Sequence, residues 1–580
     1  MIRLFQNMTK RQVLYLFCLI ICLFAQVALE LTVPDYMSDI TKLINTEGSR
    51  IAEIWTCGRM MILFSLLAFV ASIVGKYFSS RLAASFSQHL RYMIFRRVET
   101  FSLSEIDRFS TASLITRSTN DCTQIQNIMS RGLNQLIRVP IMAGYALYKI
   151  STRYWQWMAF TAASVSILVV LLLFLVIYAH PRFRKMQYYT DNINQVTREN
   201  MTGMRVVRAY NAESYEEKKF AKANEEYTDN ALKARRAMGL MQPVTKFVNN
   251  ELNIGIYCIG AFLIMHAGAA EKLEIFSEMV VFSTYAARIV RAFMGLNMIF
   301  NMIPRASVAA ERINEILDSD PAIKDGKNME NLTETGTLSF ENVSYTYPGA
   351  TIPALTDISF AAKQGQTVAF IGATGSGKST LVNLMMRFFD ADQGEIKVDG
   401  KKIRDFTLKD LRSRMGYASQ QAVLFTGTVR SNVAYAAEDI EEEVKKAVRI
   451  AQAEDFVSSM EKGIDTPINR GGSNVSGGQK QRLSVARAVY RKPEFYLFDD
   501  TFSALDYKTD RTLRAALKKE TRGVTTFIVA QRIGTIKDAD KIIVLDEGKI
   551  VGEGTHHELL KNCEIYKEIA YTQLSSEELA

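Results

Sequence analysis

The sequence predicts an all-α membrane half with six spanning helices over residues 1–323, a linker at 324–336, and an α/β phosphate-loop half over 337–580. Three observations carry this. Long uncharged runs are confined to the first half, and strand and helix patterns alternate from Thr337 onward. A glycine-rich loop, Gly372-Ala373-Thr374-Gly375-Ser376-Gly377-Lys378-Ser379-Thr380, lies between a strand-like and a helix-like run. At 580 residues the chain exceeds one domain, and its 48% hydrophobic content is unevenly spread.

The spans come first. Uncharged stretches run from Val13 to Leu29, Met60 to Gly75, Val139 to Tyr148, Tyr154 to Ala179 and Leu252 to Ala270. A sixth, Met279 to Pro304, is interrupted only by Arg288 and Arg291. A membrane-crossing helix needs about 20 residues, so flanking residues must complete the shorter runs. A lone short run such as Val139 to Tyr148 reads equally well as a soluble core helix, but six in one half do not.

Basic residues set the orientation. Arg3, Lys10 and Arg11 precede the first span, and segments 76–138 and 180–251 are rich in Lys and Arg. The expected first and last external loops instead carry Glu30, Asp35, Asp39, Glu271, Glu274 and Glu278. Both termini are therefore expected in the cytoplasm. The first apolar stretch is long and lacks a small-residue cleavage site, so it is expected to stay attached as a helix, with no peptide-processing domain ahead of it. The two basic segments contain few glycines or prolines, which predicts helices extended into the cytoplasm as levers.

Polar residues, Asn328 and Gly336 mark the boundary between Lys324 and Thr337, and strand-like Thr337 to Tyr347 opens the soluble half. The strand Thr367 to Ile371 then delivers the chain to the glycine-rich loop. Glycines there let backbone N–H groups close on phosphates, Lys378 reaches the terminal phosphates, and the Ser379 hydroxyl suits Mg²⁺. That combination predicts nucleoside triphosphate binding. There is no low-complexity segment and no internal repeat.

The net charge of +9 does not point to nucleic acid, because the positive-inside rule and anionic headgroups account for much of it and no recognition motif accompanies it. Cys18, Cys22, Cys57, Cys122, Cys258 and Cys563 lack metal-ligand or disulfide spacing and read as packing residues. His556 and His557 look like a catalytic pair, but Thr555 with Glu558 reads better as a capping box around them.

Further motifs give the family. Val475-Ser476-Gly477-Gly478-Gln479, followed by Lys480, Gln481 and Arg482, is similar to the ATP-binding cassette signature. Phe495-Tyr496-Leu497-Phe498-Asp499-Asp500 resembles a Walker B strand, and Ser503-Ala504-Leu505-Asp506 resembles a D-loop. Gln420, in Tyr417-Ala418-Ser419-Gln420, fits the Q-loop, and Tyr347 fits the aromatic position that stacks on adenine. Along essentially its whole length the chain resembles a half-size ATP-binding cassette exporter of the type IV fold.

The resemblance implies ATP and Mg²⁺ as ligands. Gly372 to Thr380 would surround the phosphates, with Ser379, Asp499 and Gln420 at the metal and terminal phosphate. Ser476, Gly477, Gly478 and Gln479 would complete a site on a second half-transporter subunit. Phe109 to Asp121 and Gly203 to Glu213 resemble segments flanking coupling helices, with Ala112 where glycine is common. The resemblance also implies outward movement of an amphipathic small molecule, lipid or peptide across a cell membrane, with a bacterial inner membrane the expected setting. Fold analogy does not choose among these substrates.

Two catalytic positions depart from the family pattern. Asp500 stands where active members carry a glutamate that polarises the attacking water, so the carboxylate is one methylene short. Gln531 stands at the switch histidine and cannot act as a cationic or proton-shuttling imidazole. Tolerated drift in an active homodimer is the alternative reading of each change; both together, beside an intact signature, resemble the weak-site subunit of a heterodimer. Thr466 to Gly471 also departs, with Arg470 where an acid is usual. An ATP-gated regulatory or channel-like membrane protein is the alternative from another class, and a fused importer is a third reading; conductance without turnover and the direction of flux separate them.

Arg288 and Arg291 complete the candidate residues. They lie i, i+3 on the sixth span, where charge is costly and faces a cavity or a partner acid. They are expected either to pair with an acid such as Glu251, or one from the partner chain, or to line a pathway favouring anionic compounds.

Overall fold

The computed structural model describes residues 2–45, 51–151, 155–327 and 334–573. Tyr154, used above as a span end, and Asn328, used as a boundary mark, lie outside the described residues. Two compact units emerge: Met1–Glu99 with Thr111–Ser319, and Thr100–Ser110 with Asp320–Ala580.

The first unit is helical. Its described columns are Lys10–Asn45, Ile51–Val98, the continuous helical run 111–151, Trp155–Thr202, Glu213–His266 and Ala269–Asp318. Four of them, Lys10–Ile44, Ile51–Val98, Trp155–Thr202 and Glu213–His266, are long and apolar enough to cross a membrane by length and composition. The other two carry basic residues where the apolar stretch should be, Arg138 and Lys149 in one and Arg288 and Arg291 in the other. Ile51–Val98 has 48 residues, about 72 Å of helix against a hydrocarbon core of about 30 Å. The extra length is the lever expected from the basic segments.

The acidic loops expected at the outer ends are not loops. Glu30, Asp35 and Asp39 lie within Lys10–Asn45, and Glu271, Glu274 and Glu278 within Ala269–Asp318. Ion pairing explains the difference: Arg138 Nη2 lies 2.9 Å from Glu30 Oε2, Lys149 Nζ 2.6 Å from Asp35 Oδ2, and Lys42 Nζ 3.6 Å from Glu278 Oε1. A charged residue that finds its counter-ion on a neighbouring helix need not end its own helix. Apolar packing supplies the rest of the bundle core. Trp157 is fully buried, donates to Ile256 O at 3.1 Å and meets the Phe282 ring edge-on at 4.8 Å.

The second unit carries two main sheets. Strands β1 (Leu338–Tyr345), β2 (Leu355–Ala362), β3 (Thr367–Gly372), β4 (Gln393–Val398), β5 (Lys401–Lys402) and β6 (Met415–Ala418) come first. Short β7 (Gly427–Thr428) and β8 (Pro467–Ile468) pair with each other. They are followed by β9 (Phe495–Asp499), β10 (Thr525–Val529), β11 (Lys541–Asp546) and β12 (Lys549–Gly554). An antiparallel sheet has the order β2-β1-β4-β5, and a second sheet, parallel except for edge strand β12, has the order β12-β11-β3-β10-β9-β6. Phe370 on β3 joins them: fully buried, it stacks on Phe527 at 6.2 Å and meets Phe360 edge-on at 5.4 Å. Each buried ring of this kind contributes about 1.5–3 kcal/mol.

Residues 100–110 fold with this second unit. Leu103 packs against its main core, and Glu105 Oε1 accepts the Ala322 N–H at 3.1 Å while Oε2 accepts the Ser102 N–H at 2.8 Å. Glu105 thereby ties the short helix Leu103–Phe109 to the chain leaving the sixth column. In the stretch Gly203 to Glu213, likened above to a segment flanking a coupling helix, residues Met204–Ala209 form a short helix within the first unit.

Candidate functional site

Parallel pairing sets the site. Val529 on β10 is in register with Asp499 on β9 and Phe370 on β3, so the C-terminal ends of all three strands open together. The glycine-rich loop leaves β3, Asp500 follows β9 and Gln531 follows β10. Residues scattered over 160 positions of sequence thus meet at one sheet edge, the place where open α/β sheets bind ligands.

The loop leads into the helix Lys378–Met385. Gly375 and Gly377 have φ of 87° and 98°, a left-handed region that glycine occupies without steric cost. At Gly377 a Cβ would also fall 2.6 Å from Leu355 Cδ2. Lys378 folds back over the loop, donating to Gly372 O at 2.9 Å, Ala373 O at 2.7 Å and Ser376 Oγ at 3.3 Å. Burial lowers the pKa of its ammonium, against the pull of Asp500 and Asp499. Thr380 Oγ1 meets Tyr347 OH at 3.1 Å, and the half-buried Tyr347 ring contacts Tyr345 and Phe389 edge-on. Ala373 and Thr374 complete the loop.

Ser379 Oγ donates to Asp499 Oδ1 at 3.0 Å. Asp499 is buried, and that burial raises its pKa against the Ser379 hydrogen bond, so the carboxylate lacks full compensation. A hydroxyl and an under-compensated buried carboxylate in contact are the hard oxygen donors that Mg²⁺ takes, and the residues fit that ion.

Asp500 is held differently. Its Oδ2 accepts from Gln531 Nε2 at 2.9 Å and from Gln420 Nε2 at 3.3 Å. Its backbone sits at φ 46°, pinned by Asp500 N donating to Val529 O at 3.0 Å. Burial raises its pKa, opposed by the Gln420 and Ser503 hydrogen bonds and the charges of Lys378 and Arg532. Both atypical residues therefore contact each other, and the side chain of Gln420 turns to Asp500.

The signature forms a separate feature. Ser476 caps the helix Gly477–Tyr490: its Oγ accepts from Gln479 N at 3.3 Å, while Gln479 Oε1 accepts from Ser476 N at 2.9 Å. Ser476 and Gly477 are exposed, and a Cβ on Gly478 would lie 3.3 Å from Ala504 O in the Ser503–Asp506 turn. A helix N-terminus with free N–H groups is suited to an anion. Arg470 is exposed beside β8.

Three supporting residues escaped the sequence reading. Gln481 Nε2 holds Gln420 O at 2.5 Å, Thr501 Oγ1 holds Ala418 O at 3.0 Å, and Gln573 Nε2 holds Gln531 O at 2.8 Å. Gln481 lay within a quoted motif, but nothing in sequence ties Gln573 to Gln531. Elsewhere, Thr555 forms the expected capping box, and His556 is buried against Tyr566 OH at 2.7 Å. Cys122 and Cys563 are buried as expected of packing residues, whereas Cys258 is exposed.

Comparisons with known proteins give the family. Residues 16–293 match the ABC transporter transmembrane region, and residues 355–503 match the ABC transporter model. An uncharacterized ABC transporter ATP-binding protein of Mycobacterium bovis is 38% identical over 532 residues, covering 90% of each chain. The chain belongs to the ABC transporter family. As a half-size ABC exporter it is a multi-pass membrane protein with a transport-coupled ATPase that binds ATP. This exporter is also 32% identical over 507 residues to the ATP-dependent lipid A-core flippase of Pseudomonas fluorescens, covering 86% of this chain and 82% of that one. A bacterial Atm1-family ABC exporter with ATP bound has the same fold, with a TM-score of 0.82, 24% identity, and coverage of 98% of this chain and 100% of the other.

Proposed function

We propose that this exporter is one subunit of a heterodimer and supplies the hydrolytically weaker of two ATP sites. The observation that carries this reading is the pairing of Asp500 Oδ2 with the Gln531 and Gln420 amides. A general base must hold a free lone pair within hydrogen-bond reach of the attacking water. Here the carboxylate is one methylene shorter than a glutamate, its Oδ2 is held by two amide donors, and Gln531 offers no titratable group near neutral pH to relay a proton.

The remaining residues keep binding roles. Gly372 to Thr380 would enclose the phosphates, Lys378 would exchange its loop carbonyls for phosphate oxygens, and Tyr347 would face the adenine. Mg²⁺, when bound, would be held by Ser379 and Asp499, with Gln420 nearby, and would offset phosphate charge. Ser476, Gly477, Gly478 and Gln479 would present the capped helix N-terminus to nucleotide on the partner subunit.

The membrane domain is taken as 1–323, the linker as 324–336 and the cassette as 337–580, with both termini cytoplasmic in a bacterial inner membrane. Relatives named lipid A-core flippases support an amphipathic, lipid-like cargo moved outward. The test is purification of this chain alone and with its partner. Alone, it should hydrolyse ATP slowly; together, one site should turn over while the other retains nucleotide longer. Brisk hydrolysis at both sites of a purified homodimer refutes the proposal.

A further inference from the structure

The phosphate-loop helix Lys378–Met385 ends on a residue type that its backbone disfavours. Phe388 N donates to Asn383 O at 2.8 Å and Arg387 N to Leu384 O at 3.0 Å, the paired bonds of a Schellman turn, and Arg387 holds the left-handed position at φ 47°. Glycine takes that conformation without steric cost; arginine does not. The arginine side chain does something that glycine could not. The residue is 3% exposed, and its guanidinium donates from Nε to Asp390 Oδ1 at 3.0 Å, from Nη1 to Phe406 O at 3.2 Å and from Nη2 to Lys324 O at 2.9 Å. Arg412 closes the same turn, with Nε on Met386 O at 3.3 Å and Nη2 on Arg387 O at 3.1 Å.

Lys324 belongs to the chain that has just left the sixth column, which ends at Asp318. Residues 322–327 are seated on the second unit by their own backbone. Gly326 N donates to Phe406 O at 3.2 Å, Lys327 N to Asp405 O at 2.8 Å and Ala322 N to Glu105 Oε1 at 3.1 Å, while Asp325 Oδ1 accepts from Leu408 N at 2.6 Å. A Cβ on Gly326 would fall 2.3 Å from Asp405 O, so this close approach needs glycine. Phe406 O accepts from both Gly326 N and Arg387 Nη1. Arg387 thus joins the end of the phosphate-loop helix to the seat at Phe406 and to the chain lying on it.

We propose that Arg387 is a positioning residue that makes 322–327 a rigid extension of the phosphate-loop helix, so that nucleotide binding at this chain's own site is passed to the sixth column along the covalent chain. A loose tether would let the helix move without the chain that precedes it, whereas buried hydrogen bonds from a charged group hold the two as one cooperative body. The inference needs only the nucleotide binding shared by the family. It is separate from the heterodimer reading, since every residue named belongs to this chain.

The experiment is amide hydrogen exchange read by mass spectrometry on the full-length transporter in lipid nanodiscs, with and without a non-hydrolysable ATP analogue and Mg²⁺. At about ten times its dissociation constant the analogue should slow exchange over 372–380 by about tenfold, and the amides of Ala322, Gly326 and Lys327 by the same factor, because they open with the loop. Arg387→Gly suits the turn's backbone but removes the guanidinium. It should keep the slowing over 372–380 while 320–327 returns to within about twofold of its nucleotide-free rate, and Arg387→Lys should recover part of the effect. Peptide 305–318 should respond to nucleotide in the wild type and lose that response both in Arg387→Gly and on insertion of two glycines between Ser319 and Asp320. Gly326→Ala, which lifts the chain off Asp405 O and spares Arg387, should likewise uncouple 320–327. A merely structural arginine predicts faster exchange over 320–327 with the slowing kept. That result, loss of the slowing over 372–380 in Arg387→Gly, or a response of 305–318 that survives these variants overturns the proposal. A wild type that shows no slowing over 372–380 would instead count against nucleotide binding at this site.

Discussion

Replacing Lys378 by Ala probes the phosphate loop directly. The residue is 7% exposed, and its ammonium rests on Gly372 O, Ala373 O and Ser376 Oγ at 2.9, 2.7 and 3.3 Å. These neutral partners hold the charge in a buried place, and burial lowers its pKa. An anionic phosphate oxygen is a better partner than a neutral carbonyl. A hydrogen bond to a charged group is worth about 1.5–3 kcal/mol, which converts to a loss of about 10- to 150-fold in nucleotide affinity for Lys378→Ala. The assay is titration of the full-length chain with a fluorescent ATP analogue at fixed Mg²⁺, beside a thermal melt without nucleotide. An affinity within about twofold of wild type, with an unchanged melt, would mean the lysine does not meet phosphate. In the assembled transporter this variant should keep part of its activity, whereas the corresponding change in the partner should abolish turnover; equal loss from both would refute the proposed asymmetry.

Other expectations follow from specific contacts. Ser476→Arg fills the exposed helix N-terminus and removes the cap on Gln479 N, so it should damage turnover at the partner's site more than Asp500→Glu with Gln531→His restores at this one, as read by nucleotide trapping in each subunit. Asp399 is fully buried, and burial outweighs the Thr337 N–H and Arg414 to push its carboxyl up to about 6. The folded cassette then holds a proton that the unfolded chain, with a pKa of about 3.9, releases. Stability should therefore rise as pH falls from about 6 toward 4, a slope that Asp399→Asn should flatten in denaturant melts. At Gly326 a Cβ would lie 2.3 Å from Asp405 O, so Gly326→Ala should cost about 1–3 kcal/mol and lower Tm by about 2–4 °C per kcal/mol, measured by calorimetry.

Local chemistry explains which parts of this protein were readable in its sequence. The glycine-rich loop, the strands Thr367–Gly372 and Phe495–Asp499, and the capping box at Thr555 depend on backbone demands spanning a few residues, so adjacent residue types specify them. Apolar runs likewise specify the membrane helices, because burial in lipid needs only length and composition. Contacts between distant positions were decided by the tertiary structure alone. The acids around Glu30 and Asp35 read as loop residues until Arg138 and Lys149, far along the chain, were seen to neutralise them inside helices. Glu30 rather than Glu251 faces Arg288, Gln573 steadies Gln531, and residues 100–110 fold with the cassette rather than with the helix they follow. Each of these is a pairing in which either partner alone satisfies the local rules of its own segment, and only packing selects which one it meets.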